Sequence, residues 1–234
     1  MRVLLIEDDS ALAKSVELAL RREGMQVDVT DLGEDGLEIG KLYDHDIIIL
    51  DLNLPDVSGH EVLRRMRESR IKTPVLIMSG DSGIEQRLKG LGYGADDFVP
   101  KPVDMRELVA RIRAISRRAQ GHAASVIEVG KLRVDIDNKR ATTVDGKVVP
   151  LTVREFAIVE VLALRKNSTV TKETLMSQLY SSDVDEEPEQ KIIDVFVHKI
   201  RKKLEAATGE QCIETVWGRG YSMKDPSEVR AMSR

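Results

Sequence analysis

Hydrophobic residues in the first half of the chain gather in short runs separated by segments of helical periodicity. Continuous apolar runs at Val3–Ile6, Ile47–Leu50 and Pro74–Met78 are typical of strands buried on both faces. Gln26–Thr30 alternates between apolar and polar residues, and Asp97–Pro100 is short. These segments predict five strands in the first half of the chain.

Between the strands, apolar residues recur at helical spacing. Helices are predicted at Ala11–Arg22 with Ser10 as its cap, Ser58–Glu68, Ile84–Leu91 and Asp104–Arg118. With a fifth helix expected between the second and third strands, five strands and five helices alternate strictly, and this predicts a parallel sheet covered on both faces. We therefore predict an α/β, doubly wound, flavodoxin-like (βα)5 domain over residues 1–118.

The pattern changes after residue 118. Residues 119–125 (AQGHAAS) are small and polar, and predict a linker. The elements predicted beyond it are β-rich segments at 126–136 and 140–150, helices at Thr152–Arg165, Lys172–Tyr180 and about Pro188–Ala206, and a hairpin of Ile213–Val216 with Tyr221–Lys224. This order predicts a separate α+β domain over 126–225, followed by a mobile tail at 226–234.

Length and composition restrict the cellular setting. A chain of 234 residues suits two domains, and its single cysteine, Cys212, excludes an internal disulfide. We expect Cys212 to be a small packed residue. No apolar run approaches the length of a membrane span, and the N-terminal run leads directly into acids, unlike a signal peptide. The sequence thus predicts a cytoplasmic protein that does not contact membranes.

The charge distribution divides the two halves. The net charge of −4 lies entirely in residues 1–118, while residues 119–234 are neutral overall. Within the second half, an acidic stretch at 183–189 (DVDEEPE) is separate from a basic run at 199–203 (KIRKK). Such a run is most often a solvated helix face, but a local basic face matters more for nucleic-acid binding than the sum of charges.

Chemically reactive residues stand at the carboxyl ends of the predicted strands, which meet at one edge of the sheet. Glu7 and Asp8 follow the first strand, Asp51 the third, Ser79 the fourth and Lys101 the fifth. Clustered carboxylates need a counter-charge, and Mg²⁺ supplies it with oxygen ligands. A carboxylate such as that of Asp51 can attack a phosphoryl group, with the metal and Lys101 offsetting the phosphoryl charge.

This constellation resembles the response-regulator receiver family. The matching segments are IEDD at 6–9, DLNLPDVSG at 51–59, PVLIMSG at 74–80 and GADDFVPKP at 94–102, and the resemblance covers residues 1–118. It implies that Asp51 is the phosphoacceptor, and that Asp8, Asp51 and the backbone carbonyl of Asn53 bind Mg²⁺, while Glu7 helps to hold the metal through water.

The same resemblance assigns the remaining parts of a switch. It gives Ser79 and Phe98 the two switch positions, makes Lys101 the family lysine, and implies a cis peptide before Pro102. In regulators of this type the face made by the fourth helix, fifth strand and last helix forms a symmetric dimer. The residues it implies on that face are Arg87, Lys89, Asp96, Asp97, Arg111 and Arg113.

The last predicted helix has one apolar and one basic face. Its inward side is predicted to carry Ile193, Phe196, Ile200 and Leu204. The residues predicted to face DNA are Lys191, Val195, His198, Lys199, Arg201 and Lys202, a pattern typical of a helix lying in the major groove. In the terminal hairpin, Arg219 lies between two glycines and is predicted to reach a phosphate or a narrow minor groove. We expect Trp217 and Tyr221 to be core residues.

This half resembles the winged-helix output domain of OmpR- and PhoB-type regulators, through LTVREFAIVEVL at 151–162, the helix above and IETVWGRGYS at 213–222. The resemblance implies binding to promoter DNA and RNA polymerase, phosphorylation by a histidine kinase or histidine phosphotransfer protein, and homodimerisation on activation. It implies no enzymatic activity beyond the receiver's own phosphoryl transfer and dephosphorylation. Several segments are most similar to alphaproteobacterial regulators of cell-cycle and motility genes, which implies control of such genes.

Two other functions are consistent with parts of the sequence. A phosphatase with an aspartate nucleophile typically has a second acid two residues later, where this chain has Asn53, and this argues against that function. An architectural DNA-binding protein with a vestigial receiver would not need the intact set of Glu7, Asp8, Asp51 and Lys101, but the sequence does not exclude it.

Overall fold

The computed structural model describes residues 1–81, 83–180 and 191–226, and the chain divides into two units, Met1–Ala119 and Gln120–Arg234. Three sequence-based predictions fall partly or wholly outside the described residues. These are the acidic stretch at 183–189, the first residues of the last helix at 188–190, and all but the first residue of the tail at 226–234.

The first unit is built on a parallel sheet of five strands in the order β2-β1-β3-β4-β5. This is the order of flavodoxin-like folds. The strands are β1 (Arg2–Ile6), β2 (Gln26–Thr30), β3 (Ile47–Leu50), β4 (Val75–Ser79) and β5 (Asp97–Pro100). Strands β1, β3 and β4 are buried along their whole length, as their continuous apolar runs predict.

Helices cover both faces of this sheet. They are α1 (Ser10–Arg22), α2 (Gly33–Leu42), α3 (Gly59–Glu68), α4 (Ile84–Gly92) and α5 (Met105–Ala119). Alternate residues of each strand face opposite sides, so Leu5 packs with α1 and α5, while Leu4 packs with α2 and α3. Helix α5 includes Ala119, which the sequence predicted to belong to the linker.

Two details of the helices differ from the sequence predictions. Helix α1 is capped by Asp9, whose carboxylate accepts hydrogen bonds from the backbone N–H groups of Ala11 and Leu12, so Ser10 is the first helical residue rather than the cap. Helix α2 lacks clear periodicity because glycines occupy its buried face. A Cβ on Gly36 would lie 2.3 Å from Ile6, so the missing side chain allows close packing against β1.

The second unit contains a three-stranded antiparallel sheet, three helices and a terminal two-stranded hairpin. Its elements are β6 (Val126–Val129), β7 (Leu132–Asp135), β8 (Arg140–Thr143), α6 (Val153–Leu164), α7 (Lys172–Leu179), α8 (Lys191–Thr208), β9 (Ile213–Val216) and β10 (Gly220–Met223). One hydrophobic core joins all three helices to both sheets. Among the described residues, no helix of either unit is long and apolar enough to span a membrane.

Buried polar contacts fix the start of this helical region. Thr152 and Glu155 form a reciprocal capping box at the start of α6. Glu155 is buried and also accepts a 2.7 Å hydrogen bond from Lys203 of α8. Burial alone would raise the pKa of Glu155, but hydrogen bonds from Lys203 and Thr152 lower it overall. The ion pair therefore fastens α8 to the N-terminus of α6.

Candidate functional site

Three charged side chains meet at the carboxyl end of the parallel sheet. The Lys101 ammonium donates a 2.7 Å hydrogen bond to Glu7 Oε1 and a 2.8 Å hydrogen bond to Asp51 Oδ2. Both carboxylates are buried, and 19% of the Lys101 side chain is exposed. The other Asp51 oxygen, Oδ1, accepts from the backbone N–H of Leu52 at 2.6 Å. One oxygen of the Asp51 carboxylate is thus paired with the Lys101 ammonium, and the other is hydrogen-bonded to the backbone.

Glu7 has an unsatisfied oxygen in this pocket. Its Oε2 atom is buried and has no hydrogen-bond partner in the described part of the chain. Oxygens of Glu7, Asp8 and Asp51 lie within 4.8 Å of one another, which is close enough for one ion to contact all three residues. A hard divalent cation prefers such carboxylate oxygens. The donor set and the unpartnered oxygen therefore fit Mg²⁺.

The electrostatics of the pocket follow from burial and from the shared ammonium. Burial raises the pKa of Glu7, and the hydrogen bond from Lys101 only partly opposes this rise. Burial alone would lower the pKa of Lys101, but its hydrogen bonds to Asp51 and Glu7 raise it overall. Lys101 consequently remains charged at neutral pH.

The loop after β3 is tied closely to the start of α3. A Cβ on Gly59 would lie 2.1 Å from the carbonyl oxygen of Asp51, so only glycine fits at this position. The Gly59 backbone N–H donates a 2.9 Å hydrogen bond to the carbonyl of Leu52. Asn53 is exposed in the same loop, and its N–H lies 3.3 Å from Asp51 Oδ1.

The two predicted switch residues are both buried. Ser79 ends β4, and its hydroxyl accepts a 3.2 Å hydrogen bond from the backbone of Asp81. Phe98 lies on β5 next to α4, where the Arg87 guanidinium lies 5.6 Å from the centre of its ring. The Lys101–Pro102 peptide bond is cis, as predicted.

The residues predicted for the dimer surface differ in the contacts that they make within the receiver unit. Arg87 and Lys89 are exposed on α4, and Arg111 pairs with Asp97 at 2.6 Å. Asp96 instead accepts a 2.8 Å hydrogen bond from the backbone N–H of Val75 at the start of β4. Arg113 pairs with Glu23, beyond the end of α1. Asp96 and Arg113 therefore stabilise the receiver unit itself.

Sequence analysis missed an apolar stripe on α4. Ile84, Leu88 and Leu91 are 75%, 64% and 46% exposed. Their spacing places them on one side of the helix, beside the exposed Arg87 and Lys89. The amphipathic periodicity of this short helix is weak because apolar residues lie on its solvent-facing side. The helical spacing of those apolar residues was the sequence signal that could have identified the stripe.

Helix α8 presents the basic face that the sequence predicted. Lys191, His198, Lys199 and Lys202 are exposed, together with Val195 at 51%. The buried side differs in one residue, because Val197 is fully buried while Phe196 is only partly so. This difference leaves the position of the exposed face unchanged.

Arg201 takes a different place from the one predicted. Its guanidinium donates hydrogen bonds of 3.0 Å to the Ile213 carbonyl and 2.9 Å to Thr215 Oγ1, and it lies over the ring of Tyr221. The Tyr221 hydroxyl in turn donates to Asp194, which also pairs with Lys172 at 2.7 Å. The hydrogen bonds from Lys172 and Tyr221 lower the pKa of Asp194. Arg201 thus joins α8 to the terminal hairpin.

The hairpin of β9 and β10 has a tight tip. Gly218 has a φ of +70°. Gly220 packs against the backbone of Val170, and a Cβ on Gly220 would lie 2.1 Å from the Val170 carbonyl oxygen. Tyr221 is buried as predicted, but the prediction for Trp217 is wrong, because its side chain is 90% exposed. Arg219 is exposed in the same turn. We call residues 216–220 the wing tip.

Comparison with known proteins finds relatives for both units. Residues 3–113 match the family described as response regulator receiver domain, and residues 146–223 match the family of transcriptional regulatory protein, C terminal. Proteins of Brucella anthropi and Brucella ovis, both named "Cell cycle response regulator CtrA", are 57% identical to this chain over 232 residues, covering 98% of this chain and 99% of each relative. A crystal structure of a CheY-like response regulator receiver domain protein from Methanospirillum hungatei is 27% identical with a TM-score of 0.50, and covers 51% of this chain and 96% of that one.

Proposed function

Since the chain belongs to the response-regulator family, and joins a receiver domain to a C-terminal transcriptional regulatory domain, we propose that phosphorylation of Asp51 controls its binding to promoter DNA. The observation that carries this proposal is the buried cluster of Asp51, Lys101 and Glu7, with one Glu7 oxygen unpartnered among the described residues. Phosphoryl transfer to Asp51 gives each of these three groups a role, as nucleophile, as counter-charge and as metal-binding carboxylate.

Each residue of the pocket has a separate role in phosphoryl transfer. A carboxylate oxygen of Asp51 attacks the phosphorus atom and forms an acyl phosphate, while the bond from phosphorus to the donor breaks and the donor keeps the electron pair. Lys101 offsets negative charge on the phosphoryl oxygens. Bound Mg²⁺, held by Glu7, Asp8, Asp51 and the Asn53 carbonyl, would supply further positive charge at those oxygens. Water later hydrolyses the acyl phosphate, which restores the Asp51 carboxylate and releases inorganic phosphate. We assign the chain no other enzymatic activity.

The switch residues connect the pocket to the surface. The Ser79 hydroxyl, which accepts from Asp81 in this structure, turns to donate a hydrogen bond to the phosphoryl group. Phe98 then changes its rotamer, and its contact with Arg87 is lost or rearranged. Because Arg87 lies beside the apolar stripe of Ile84, Leu88 and Leu91, this movement alters the exposed face of α4.

That face is the proposed homodimer surface. It combines the apolar stripe of α4 with Arg87, Lys89 and the ion pair of Asp97 with Arg111. Apolar residues supply the energy of association, and flanking charges of both signs suit a two-fold interface. Asp96 and Arg113 belong to the same proposed surface and, like Asp97 and Arg111, each also makes a bond within its own receiver unit.

The second unit is the proposed DNA reader. Helix α8 lies in the major groove with Lys191, Val195, His198, Lys199 and Lys202 facing the DNA. Arg219 at the wing tip contacts a phosphate or the minor groove. Arg201 contributes by holding α8 and the hairpin in register, not by contacting bases.

The proposed partners follow from the family. A histidine kinase or histidine phosphotransfer protein donates the phosphoryl group, and RNA polymerase responds to the DNA-bound dimer. The name of the Brucella relatives supports control of cell-cycle genes, and we extend this proposal to motility genes. Phosphotransfer from a histidine and binding to promoter DNA both take place in the cytoplasm.

The experiment that tests the chemistry is phosphoryl incorporation from a small-molecule phosphodonor with Mg²⁺, located by peptide mass spectrometry. We expect labelling on Asp51 alone, no labelling of Asp51→Asn, and slow labelling of Asp8→Asn. Asp9→Asn is a matched control, because Asp9 is an adjacent exposed carboxylate that caps α1, and its labelling should equal that of the wild type. Labelling of Asp51→Asn at the wild-type rate would contradict the assignment.

A further inference from the structure

Trp217 is the most exposed large hydrophobic side chain in the described part of the chain. It is 90% exposed, although tryptophan supplies more apolar area than other residues when it is buried. The indole therefore contributes almost nothing to the core of the second unit. Tryptophan is enriched at interfaces, because its ring combines a large apolar surface with a polar N–H group.

The backbone of the wing tip determines the exposure of this ring. The Arg219 N–H donates a 2.9 Å hydrogen bond to the Val216 carbonyl, which makes Trp217 and Gly218 the two central residues of a tight turn. Gly218 provides the positive φ that such a turn requires. A side chain at the corner of this turn has few neighbours in its own domain.

The hairpin that carries the turn is anchored at its base. The backbones of Tyr221 and Val170 exchange hydrogen bonds of 2.8 and 2.9 Å, and Gly220 packs directly on the Val170 carbonyl. Tyr221 and Arg201 connect the same hairpin to α8. The indole is therefore presented at a fixed place relative to α8, and little backbone entropy is lost when it binds.

The surroundings of the indole indicate the kind of partner. A groove of about 450 Å³ lies beside it, and its lining includes Trp217, Arg219 and three further charged residues, Lys172, Glu173 and Asp194. Asp194 is engaged by Lys172 and Tyr221, so Arg219 is the charge presented at the turn itself. An apolar ring next to a cation matches a sugar-phosphate chain, which has apolar deoxyribose faces between anionic phosphates.

We propose that Trp217 is a DNA contact, and that its indole lies against deoxyribose and base edges of the minor groove beside the phosphate reached by Arg219. The minor groove of B-DNA is about 6 Å wide, which suits a two-residue turn better than a helix. This inference rests on the proposed function, and adds a residue that sequence analysis had assigned to the core.

The contribution of the indole differs in kind from that of Arg219. An uncharged ring releases no counterions, so its loss lowers affinity equally at all salt concentrations. We expect Trp217→Ala to weaken binding by roughly tenfold, at the low end of the range for aromatic stacking on single-stranded bases, because the indole here packs against sugars and base edges. Arg219→Gln should instead reduce the slope of log affinity against log salt by about one. Trp217→Phe keeps an aromatic ring and should retain most of the affinity.

The chain has a single tryptophan, so intrinsic fluorescence reports on this residue alone. The experiment uses the full-length protein with phosphodonor and Mg²⁺, and a duplex selected by the wild-type protein from a random-sequence pool. We expect the indole to be open to acrylamide quenching in the free protein and protected in the DNA complex. Affinities of the three variants are measured over a salt series by anisotropy of the labelled duplex.

The possible outcomes separate the two proposals. If the duplex is bound but the indole remains as accessible as in the free protein, the inference about Trp217 is wrong while the proposed function stands. Protection that requires added RNA polymerase would also overturn it, in favour of a protein contact. If the wild-type protein selects no duplex, the proposed function fails and the inference fails with it.

Discussion

Replacing Lys101 by methionine removes an ammonium that two buried carboxylates share, while keeping most of the side-chain volume. The Lys101 ammonium lies 2.7 Å from Glu7 and 2.8 Å from Asp51. Among the described residues, no other cation forms an ion pair with either carboxylate. In Lys101→Met both carboxylates remain buried without a counter-charge, so we expect the receiver unit to lose stability when no metal is present.

The size of the loss follows from burial. Removing one partner of a buried ion pair costs about 3–5 kcal/mol. Two features reduce this value here, since 19% of the Lys101 side chain is exposed to solvent and Glu7 can take up a proton. We therefore expect a loss of about 2–3 kcal/mol at neutral pH, equivalent to one or two hydrogen bonds to a charged group.

The loss should depend on pH in a defined direction. Burial raises the folded-state pKa of Glu7 above its ordinary value of 4.5, so the stability linked to this group is complete below that value and declines as pH rises through the folded-state pKa. Without Lys101 the pKa of Glu7 rises further. The difference between wild type and Lys101→Met should thus shrink as the pH falls and Glu7 becomes neutral in both proteins.

Amide hydrogen exchange in β1 and β3 provides the assay, with EDTA present, because the single tryptophan lies in the second unit and does not report on the receiver. Lys14→Met is the matched control, since Lys14 is an exposed lysine that pairs with Glu17 on α1, and it should change stability by less than about 0.5 kcal/mol. Equal protection of Lys101→Met and wild type at neutral pH would refute the electrostatic reasoning.

Three other predictions follow from the described contacts. Glu7→Gln should weaken Mg²⁺ binding by at least about tenfold in titration calorimetry. The Mg²⁺ affinity of the wild type should fall as the pH drops through the raised pKa of Glu7. An unchanged Mg²⁺ affinity of Glu7→Gln would exclude Glu7 from the metal site. Gly220→Ala, with φ of +139° and a Cβ 2.1 Å from the Val170 carbonyl, should destabilise the second unit by about 2–3 kcal/mol, against about 1 kcal/mol for Gly218→Ala, which has open space. Equal losses measured by amide hydrogen exchange in α6 and α8 would contradict this. Cys212 is buried, and burial raises its pKa to about 11, so a thiol reagent should label it only as fast as the second unit opens, and rapid labelling of the native protein would be inconsistent with this environment.

Much of the fold was predictable because its strands carry unambiguous patterns. The buried run of Ile47–Leu50 and the alternating run of Gln26–Thr30 form strands with the predicted bounds. The fold class of both units is confirmed by the family matches. Helix α2 was harder to recognise, because its buried face is made of glycines that allow close packing and leave no apolar repeat.

The pocket was predictable and the surface contacts were not. Strand-end acids and Lys101 converge because parallel strands end at one edge, a rule that needs no coordinates. Arg201 and Arg113 were assigned to interfaces from their charge, but the sequence does not indicate that Thr215 and Glu23 lie within hydrogen-bond distance. Trp217 was assigned to the core from its hydrophobicity, whereas the tight turn at Gly218 directs it into solvent.

The most direct test of phosphorylation-controlled DNA binding is a DNA titration at fixed salt, with and without a small-molecule phosphodonor and Mg²⁺, using the wild type and Asp51→Ala. The predicted result is that the donor tightens binding of the wild type to its selected duplex and leaves Asp51→Ala unchanged. Equally tight binding in all conditions would contradict control by Asp51, and would instead support an architectural DNA-binding protein with an inactive receiver.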